Sequence, residues 1–428
     1  AALVHRPDAA VPSVPAASPH VILIGIDSLR CDTTSLGSGP SRTPNLDRFL
    51  AQSTAFPDAI SPLARTFPAW VSILTGRHPV TTNARFNLMP RAAVSQGDTL
   101  GDQLVASGYR AIYATDEVRF ANIDHSYGFD QLITPPIGAA DFVLGTLNDL
   151  PATNLLSGTR LGAALFPHTY ANRAASVTYR PDRFVDRIDR ELVVDGPTFL
   201  AVHLTLAHWP YSWAGLETPT TPPAYREAYG HSVAAVDQQF GALMDTLSAK
   251  GLLDNAVVVL LSDHGEALGH PQDSYVRGFA KAQELWNSLW GHGTSVVSPH
   301  QFTVMLAFRR FGSAPLPTAG QRPTTPASLE DIRPTVLDLV LGRAGEGLDG
   351  RSLRGVLEGS PSDVLDERVR FTETDFNTQM VLEGQFDTNG ILKEGAEYYE
   401  LDPASGSLQL RAERIPELMP RKERAALS

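Results

Sequence analysis

The chain has 428 residues, of which 43% are hydrophobic and 19% are charged, so it carries enough apolar material for one large folded core. Its 35 basic and 47 acidic residues give a formal net charge of -12, which argues against broad binding to nucleic acid or to anionic lipid. The single cysteine, Cys31, excludes an intramolecular disulfide. An anionic substrate would therefore have to be held by a local cluster of positive charge.

The first 19 residues are rich in alanine and proline and show no helical or strand periodicity. Residues 1–19 are therefore predicted to be a flexible linker. Because the chain starts without methionine, we expect an exported or membrane-anchored origin, with a periplasmic or cell-envelope location. Any anchor would lie in a segment absent from this chain, since no apolar run reaches the roughly 20 residues that a membrane-spanning helix needs.

Continuous apolar runs recur along the chain and predict strands that are buried on both faces. These runs cover His20 to Ile26, Arg110 to Thr115, Thr198 to Leu206 and Ala256 to Leu261. Between the last two, residues 229–250 place apolar side chains at spacings of three and four, and Gly251 then ends the predicted helix. Alternating strands and helices predict an α/β fold with a mostly parallel central sheet flanked by helices.

The predicted catalytic α/β domain covers residues 20–325. Within it, residues 135–195 have no strong period and are interpreted as an insertion that could cover the site as a lid. A helix is predicted to begin near Asp331, with Asp331 as its cap. We expect residues 326–428 to form a smaller C-terminal antiparallel lobe, as a subdomain of the same fold.

Two carboxylates follow predicted strands and should meet at one edge of the sheet. Asp27 follows the first strand, and Asp263, with His264 next to it, follows the fourth. Ligands bind at the carboxyl ends of parallel strands. Two carboxylates and one imidazole suit zinc or manganese, whereas an isolated Asp-His pair is more often a hydrogen-bonded structural pair. The metal-site prediction therefore depends on Asp27 converging with the other two.

Thr66 begins a segment with helical character, TFPAWVSILTG, that carries Pro68 in its first turn. A helix N-terminus stabilises an attacking alkoxide and a bound phosphate, because its backbone N–H groups and its dipole favour an anion. Thr66 is therefore a candidate nucleophile. The alternative is that Thr66 serves only as the N-cap of the helix.

Several segments, in order, resemble motifs of the sulfatase-like branch of the alkaline phosphatase superfamily. They are GIDSLR, TPNLDRF, TFPAWVSILTGRHP, AHWPYS, LLSDHGEALG and WGHGTSVVSPHQFTVMLAF, followed by DIRPTVLDL and LDGRSL. The resemblance runs from about His20 to Pro403 and implies an alkaline phosphatase-like fold. It also implies a divalent metal, zinc first and manganese or calcium as alternatives, whose ligands would be Asp27, Thr66, Asp263 and His264.

Position 66 departs from the pattern of sulfatases. Those enzymes need a Cys or Ser that is oxidised to formylglycine within a Cys-x-Pro-Ser-Arg signature, whereas this chain has Thr66, with Ala69 and Trp70 where Ser and Arg would fall. A Thr nucleophile is similar to those of nucleotide phosphodiesterases and phosphoethanolamine transferases, and it implies a covalent phosphothreonine. The Asp-x-x-Gly-His motif of those phosphodiesterases is not found between Thr66 and Asp263, so a full two-metal site is not expected.

The same resemblance implies catalytic roles for His208 and His292. Either imidazole would contact phosphoryl oxygens, protonate the leaving group or hold a weaker second cation; a structural, hydrogen-bonded histidine is the alternative. Arg119 and Trp70 are further candidate substrate contacts, Arg119 as an anion clamp with an ordinary salt bridge as its alternative. Glu266 is interpreted as a residue that supports the metal ligands.

The favoured function is a metal-dependent phosphotransferase that moves phosphoethanolamine or phosphoglycerol from a phospholipid to an envelope glycan or lipid. The alternative is a phosphodiesterase or phosphonate ester hydrolase with water as the acceptor. An arylsulfatase and a catalytically inactive binding module are less favoured. The expected partners are thus a phospholipid or another phosphodiester donor and a glycan or lipid acceptor, with no nucleic acid.

Overall fold

The computed structural model describes residues 18–37, 41–118, 120–136, 159–165, 167–174, 179–209, 211, 213, 221–270, 273–275, 290–312, 314–360, 363–376, 393, 395–403 and 406–428. The predicted linker lies almost entirely outside these residues. Much of the predicted insertion at residues 135–195 also lies outside them, as does Arg119. None of the helices that the structure describes is both long enough and apolar enough to cross a bilayer.

A seven-stranded sheet with the strand order β2-β9-β6-β1-β5-β3-β4 forms the centre of the protein. Its strands are β1 His20–Ile26, β2 Thr54–Ile60, β3 Arg110–Thr115, β4 Gln131–Ile133, β5 Thr198–Leu204, β6 Ala256–Ser262 and β9 Thr303–Phe311. β9 pairs antiparallel with both β2 and β6, whereas the pairs among β1, β3, β4, β5 and β6 are parallel. The mostly parallel sheet predicted from the sequence is confirmed.

Three small antiparallel pairs accompany the central sheet. β7 Ala267–Leu268 pairs with β8 Trp290–Gly291, β10 Arg370–Glu373 with β13 Arg424–Leu427, and β11 Tyr399–Leu401 with β12 Leu408–Leu410. The last two pairs are the C-terminal antiparallel lobe that the sequence predicted. Glu373 of β10 also forms an isolated parallel bridge with Leu63, just before the second helix.

Helices cover both faces of the sheet. They are α1 Pro44–Leu50, α2 Thr66–Thr75, α3 Pro79–Thr82, α4 Leu100–Ala106, α5 Arg160–Leu165, α6 Pro181–Glu191, α7 Pro222–Ala249, α8 Pro299–Phe302, α9 Ile332–Leu341, α10 Arg354–Leu357, α11 Asp363–Asp366 and α12 Ile415–Leu418. Alternate residues of a strand face opposite sides, so β1 sends Val21 and Leu23 into the core that includes α2 and α9. Ile22 and Ile24 enter the core on the other face, which includes α7. This double burial explains the continuous apolar runs.

The contact between α2 and β1 sets the position of the predicted nucleophile. Trp70 on α2 is fully buried, and a Cβ on Gly25 of β1 would lie 2.7 Å from its indole ring. Only glycine therefore lets the ring lie this close to the strand. The packing of Trp70 on β1 holds the first turn of α2 beside Asp27, which follows β1.

Candidate active site

Asp27 and Asp263 lie side by side because β1 and β6 are neighbouring parallel strands, with Ile26 opposite Ser262. Both carboxylates are buried. The Ser28 hydroxyl donates to Asp27 Oδ1 at 2.9 Å. Ser28 has a φ of 57°, in the left-handed region that residues other than glycine rarely adopt. The strained backbone at Ser28 therefore accompanies a hydroxyl that holds one oxygen of Asp27.

His264 presents one defined nitrogen to these carboxylates. Its backbone N–H donates to Asp263 Oδ1 at 2.9 Å, and its Nδ1 lies 3.0 Å from the Gly265 carbonyl. Nδ1 therefore carries the proton, and Nε2 is free to accept or to bind a cation. His264 Nε2 lies 3.4 Å from Asp27 Oδ1. Gly265 is required here, because a Cβ would lie 2.1 Å from the carbonyl oxygen of His300.

Thr66 is the first residue of α2, and Arg65 occupies the N-cap position. The Thr66 hydroxyl oxygen lies 3.5 Å from Asp27 Oδ2 and 3.4 Å from His264 Nε2. Thr66 is therefore not the N-cap of α2, and the Thr66 side chain faces the acidic cluster instead. The structure brings together the residues predicted as metal ligands, Asp27, Thr66, Asp263 and His264.

These donors fit a divalent metal. Among the described residues, Asp263 Oδ2 is buried and has no hydrogen-bond partner, although buried polar atoms are normally paired. It lies 3.8 Å from His264 Nε2. Ligands held about 2.0 to 2.2 Å from a tetrahedral zinc are themselves about 3.3 to 3.6 Å apart, close to the separations within this cluster. Buried carboxylates, an imidazole and a hydroxyl are also ligand types that zinc or manganese accepts.

His203 was not predicted from the sequence. It lies on β5 beside Gly25 of β1, is buried, and places Nε2 3.6 Å from Asp27 Oδ2 and 3.5 Å from Asp263 Oδ2. Asp27, His203 and Asp263 form a group of donors close enough to share one cation. The signal in the sequence was weak, because His203 interrupts an apolar run on the strand face that Phe199 and Ala201 also occupy.

His292 and Glu266 form a second buried pair beside the first cluster. His292 Nδ1 lies 2.8 Å from Glu266 Oε2, which fixes the proton on Nδ1 and leaves Nε2 free. The His292 ring stacks on the ring of His264, with centroids 4.1 Å apart, and approaches His208 at 5.2 Å. The structure therefore places both predicted catalytic histidines next to the predicted metal ligands. His264, Glu266 and His292 are also close enough together to hold a cation.

Arg65 is a second residue that the sequence reasoning missed. Its Nε lies 3.3 Å from Asp375 Oδ2, and a Cβ on Gly293 would lie 2.8 Å from the same Nε. Gly293 follows His292, so the guanidinium lies on the side of the cluster formed by that segment. Its position directly before Thr66 was the available signal. Arg65 therefore pairs with the buried Asp375, and its charge still lies close enough to His292 to add to the effect of burial in lowering the pKa of that imidazole.

The predicted substrate contacts had different outcomes. The Trp70 indole is buried between Tyr113, at a centroid distance of 5.6 Å, and His203, at 5.0 Å. This burial argues against contact with a substrate and makes Trp70 a packing residue beneath the site. His208 is partly exposed and stacks on Phe120 with centroids 5.5 Å apart. Arg119 lies outside the described residues.

Burial dominates the electrostatics of the site. It raises the pKa of Asp27 to about 7, with a further contribution from the Asp263 carboxylate, and raises the pKa of Asp263 to about 7. Burial lowers the pKa of His264 well below its ordinary value, and the neighbouring His292 adds to this effect. Burial and the charge of Arg65 lower the pKa of His292 in the same direction. Without a cation, a neutral site is thus favoured near neutral pH.

The raised carboxyl pKa values predict that metal binding strengthens as the pH rises. In the metal-free protein Asp27 and Asp263 hold protons up to about pH 7, and a cation must displace them. Below pH 7 the affinity should fall about tenfold per pH unit for each proton displaced. Chelator competition between about pH 5.5 and about pH 8.5 measures this. An affinity that stays constant over this range would contradict the prediction.

Asp27 and Asp263 also make the stability of the metal-free protein depend on pH. Their folded pKa values exceed the ordinary 3.8, so the folded state binds more protons than the unfolded state between pH 3.8 and about 7. The contribution of Asp27 and Asp263 to the free energy of unfolding of the metal-free protein should therefore decrease as the pH rises through this window, whereas the lowered pKa values of His264 and His292 contribute in the opposite direction. The gain in melting temperature on adding metal should accordingly be larger at about pH 8 than at about pH 5.5.

Known proteins share both the sequence pattern and the fold. Residues 19–342 match the family model Sulfatase. Iduronate 2-sulfatase of Mus musculus is 24% identical over 360 residues, which are 71% of this chain and 61% of that protein. N-acetylgalactosamine-6-sulfatase of Canis lupus familiaris is 26% identical over 274 residues, covering 58% and 51% respectively. The chain thus spans only about half to three fifths of the length of these curated relatives.

Solved structures show the same architecture. The phosphonate monoester hydrolase of Agrobacterium radiobacter superposes with a TM-score of 0.60 at 19% identity, over 86% of this chain and 82% of that one. The phosphonate monoester hydrolase SpPMH from Silicibacter pomeroyi also gives 0.60, at 18% identity, over 87% and 83%. At this level of identity the likeness concerns the fold, and it confirms the predicted alkaline phosphatase-like arrangement.

Proposed function

We propose that this chain, which belongs to the sulfatase family, cleaves phosphoryl esters through a covalent phosphothreonine at Thr66. The observation that carries the proposal is the position of the Thr66 hydroxyl, 3.5 Å from Asp27 Oδ2 and 3.4 Å from His264 Nε2. A hydroxyl at this place can act directly as a nucleophile. Threonine cannot become the formylglycine on which sulfatases depend, which favours phosphorus over sulfur as the centre attacked.

The first step joins Thr66 to phosphorus. The Thr66 oxygen forms a new bond to phosphorus, and the bond from phosphorus to the leaving oxygen breaks. A divalent cation held by Asp27, Asp263 and His264 would lower the pKa of the Thr66 hydroxyl and neutralise negative charge on the phosphoryl group. The positive charge of Arg65, on the side of the cluster that Gly293 forms, would act on the same anion.

Proton transfer is assigned to the histidines. The Thr66 hydroxyl loses a proton during attack, and the leaving oxygen must gain one. Because Glu266 accepts the hydrogen bond from His292 Nδ1, Nε2 of His292 is held ready to accept and return that proton. His208, 5.2 Å from His292 between ring centroids, would contact the phosphoryl oxygens or share this role. The second step repeats the chemistry with an acceptor oxygen attacking phosphorus and Thr66 leaving.

The acceptor decides whether the enzyme is a transferase or a hydrolase. Our hypothesis for the donor is a phospholipid carrying phosphoethanolamine or phosphoglycerol, and for the acceptor an envelope glycan or lipid, which would fit a cell-envelope location. Hydrolysis of a phosphodiester or phosphonate ester, with water as acceptor, is the alternative. Two of the structural neighbours are named phosphonate monoester hydrolases, in line with this alternative, and another is named a sulfatase. Zinc is the cation proposed for either reaction.

Matched aryl esters test the proposed reaction class. The competing hypothesis is that the protein cleaves sulfate esters, since the curated relatives are named sulfatases. We expect the metal-loaded protein to cleave 4-nitrophenyl phosphodiesters or phosphonate esters at least about a hundredfold faster than 4-nitrophenyl sulfate, a difference of about 2.7 kcal/mol in activation free energy. Rates are measured side by side on one preparation, with chelator-treated protein as the blank. Faster cleavage of the sulfate ester would overturn the assignment.

The histidines outside the predicted metal ligands give a second test. His292→Ala or His208→Ala should lower turnover by about a hundredfold, because each removes a proton-transfer or charge-stabilising group. Glu266→Gln should have a smaller effect of the same kind, since the amide no longer fixes the His292 tautomer. Steady-state rates and elemental analysis are measured on the same samples. Loss of stoichiometric metal in a histidine variant would instead identify that histidine as a metal ligand.

A further inference from the structure

His203 is a buried imidazole whose nitrogens lack partners. It is 1% exposed, and within the described part of the chain neither ring nitrogen makes a hydrogen bond. Leaving a polar group unpaired in the core is costly. The Trp70 ring, 5.0 Å away between centroids, packs against the imidazole but offers it no acceptor in that contact. A cation bound at one of these ring nitrogens would supply the missing partner.

The Nε2 nitrogen of His203 faces the two buried carboxylates. Its Nε2 is 3.6 Å from Asp27 Oδ2 and 3.5 Å from Asp263 Oδ2, and Asp263 Oδ2 also lacks a hydrogen-bond partner among the described residues. These separations exceed the usual 2.7 to 3.2 Å of an N–H···O hydrogen bond. They resemble the spacing between ligands that share one cation, about 3.3 to 3.6 Å. Three mutually unbonded donors around one point indicate a shared cation.

We propose that His203 Nε2 is an additional donor of the metal centre, alongside Asp27, Thr66, Asp263 and His264. His203 lies within β5, outside the segments that carry the sequence resemblance described above. Binding through His203 would raise the number of imidazole ligands at the metal centre from one to two. Since imidazole suits zinc, cobalt and other transition metals, whereas calcium takes oxygen ligands, His203 would shift the preference of this site away from calcium.

This inference deepens the proposed function and rests on it only for the presence of a cation. The test therefore uses the metal-free full chain titrated with Zn²⁺ alone or Co²⁺ alone, with no substrate. His203→Phe removes the donor and keeps an aromatic ring against Trp70, and His203→Gln provides a second variant if the first does not fold. His231→Gln is the matched control, because His231 is exposed on α7. Circular dichroism of each protein checks that it is folded.

The readouts count ligands and measure affinity. X-ray absorption of the Zn²⁺ protein should fit two imidazoles in the wild type and the control, and one in His203→Phe. Chelator competition should show at least about a hundredfold weaker Zn²⁺ binding in both His203 variants, and the visible spectrum of bound Co²⁺ should change with the ligand number. A wild-type protein that binds Zn²⁺ through one imidazole, or His203 variants with wild-type affinity, would overturn the inference alone. A folded wild type that binds neither cation would overturn the proposed metal-dependent function as well.

Discussion

Thr66→Ala is expected to reduce turnover of phosphoryl esters by at least about a thousandfold, because it removes the proposed nucleophile and not only a contact. Thr66 stands at the first position of α2, and its oxygen is 3.4 Å from His264 Nε2. The same oxygen is 3.5 Å from Asp27 Oδ2, so Thr66 contacts both of these predicted metal ligands. Thr66→Ser keeps the hydroxyl and should retain a substantial part of the activity.

The proposed phosphothreonine intermediate should be observable directly. The protein is incubated with phosphatidylethanolamine or phosphatidylglycerol, quenched in acid, digested, and analysed by mass spectrometry for the peptide that contains Thr66. The mass of the adduct would identify the group transferred. A hydrolase should show the adduct only briefly, whereas a transferase without its acceptor should accumulate it.

The control for this experiment is Thr66→Ala under the same conditions, which should give no adduct on that peptide. Full turnover by Thr66→Ala would show that the nucleophile is wrongly assigned and that water attacks phosphorus directly. An adduct on a different residue would reassign the nucleophile. Absence of an adduct from both phospholipids, together with rapid cleavage of an aryl phosphodiester, would favour the hydrolase over the phospholipid transferase.

Much of the central sheet could be predicted because its strands are buried on both faces. β1 and β3 have the predicted bounds, β6 extends one residue further, to Ser262, and β5 ends at Leu204, two residues before the predicted end. β2 and β9 were not singled out. In β2 the register with β9 shifts between Phe56 and Ala59, where Pro57 cannot donate a hydrogen bond, and the edge position allows this. A strand interrupted in this way lacks a regular apolar pattern.

The candidate site was predictable where a side chain follows a strand or begins a helix. Asp27 and Asp263 could be placed together because both come directly after parallel strands. His203 could not, since a histidine inside an apolar strand has the pattern of a core residue until the neighbouring strands are known. Trp70, in contrast, was predicted to contact the substrate because of its position in the motif. The apolar surroundings of Gly25 and Tyr113 give it a packing role instead.

The largest effect on metal content is expected from Asp263→Ala and His264→Ala. Purified wild-type protein should hold about one equivalent of a transition metal, zinc first, at the buried cluster. Asp263 Oδ2 has no hydrogen-bond partner in the described part of the chain, so its position is best explained by a cation. Removing the Asp263 carboxylate, or His264 Nε2, should lower metal affinity by more than about a hundredfold. This loss is larger than is typical for residues that only support metal ligands.

Elemental analysis of both variants after dialysis measures this effect, and two variants on α7 provide matched controls. Asp245→Ala and His231→Ala remove the same kinds of side chain from exposed positions, so they should keep the wild-type metal content. Loss of metal should also abolish turnover, because the Thr66 hydroxyl then keeps its high pKa and the charge on the phosphoryl group is not neutralised. Calcium as the sole bound metal would contradict the zinc assignment, and unchanged metal in both Asp263→Ala and His264→Ala would place the metal centre elsewhere.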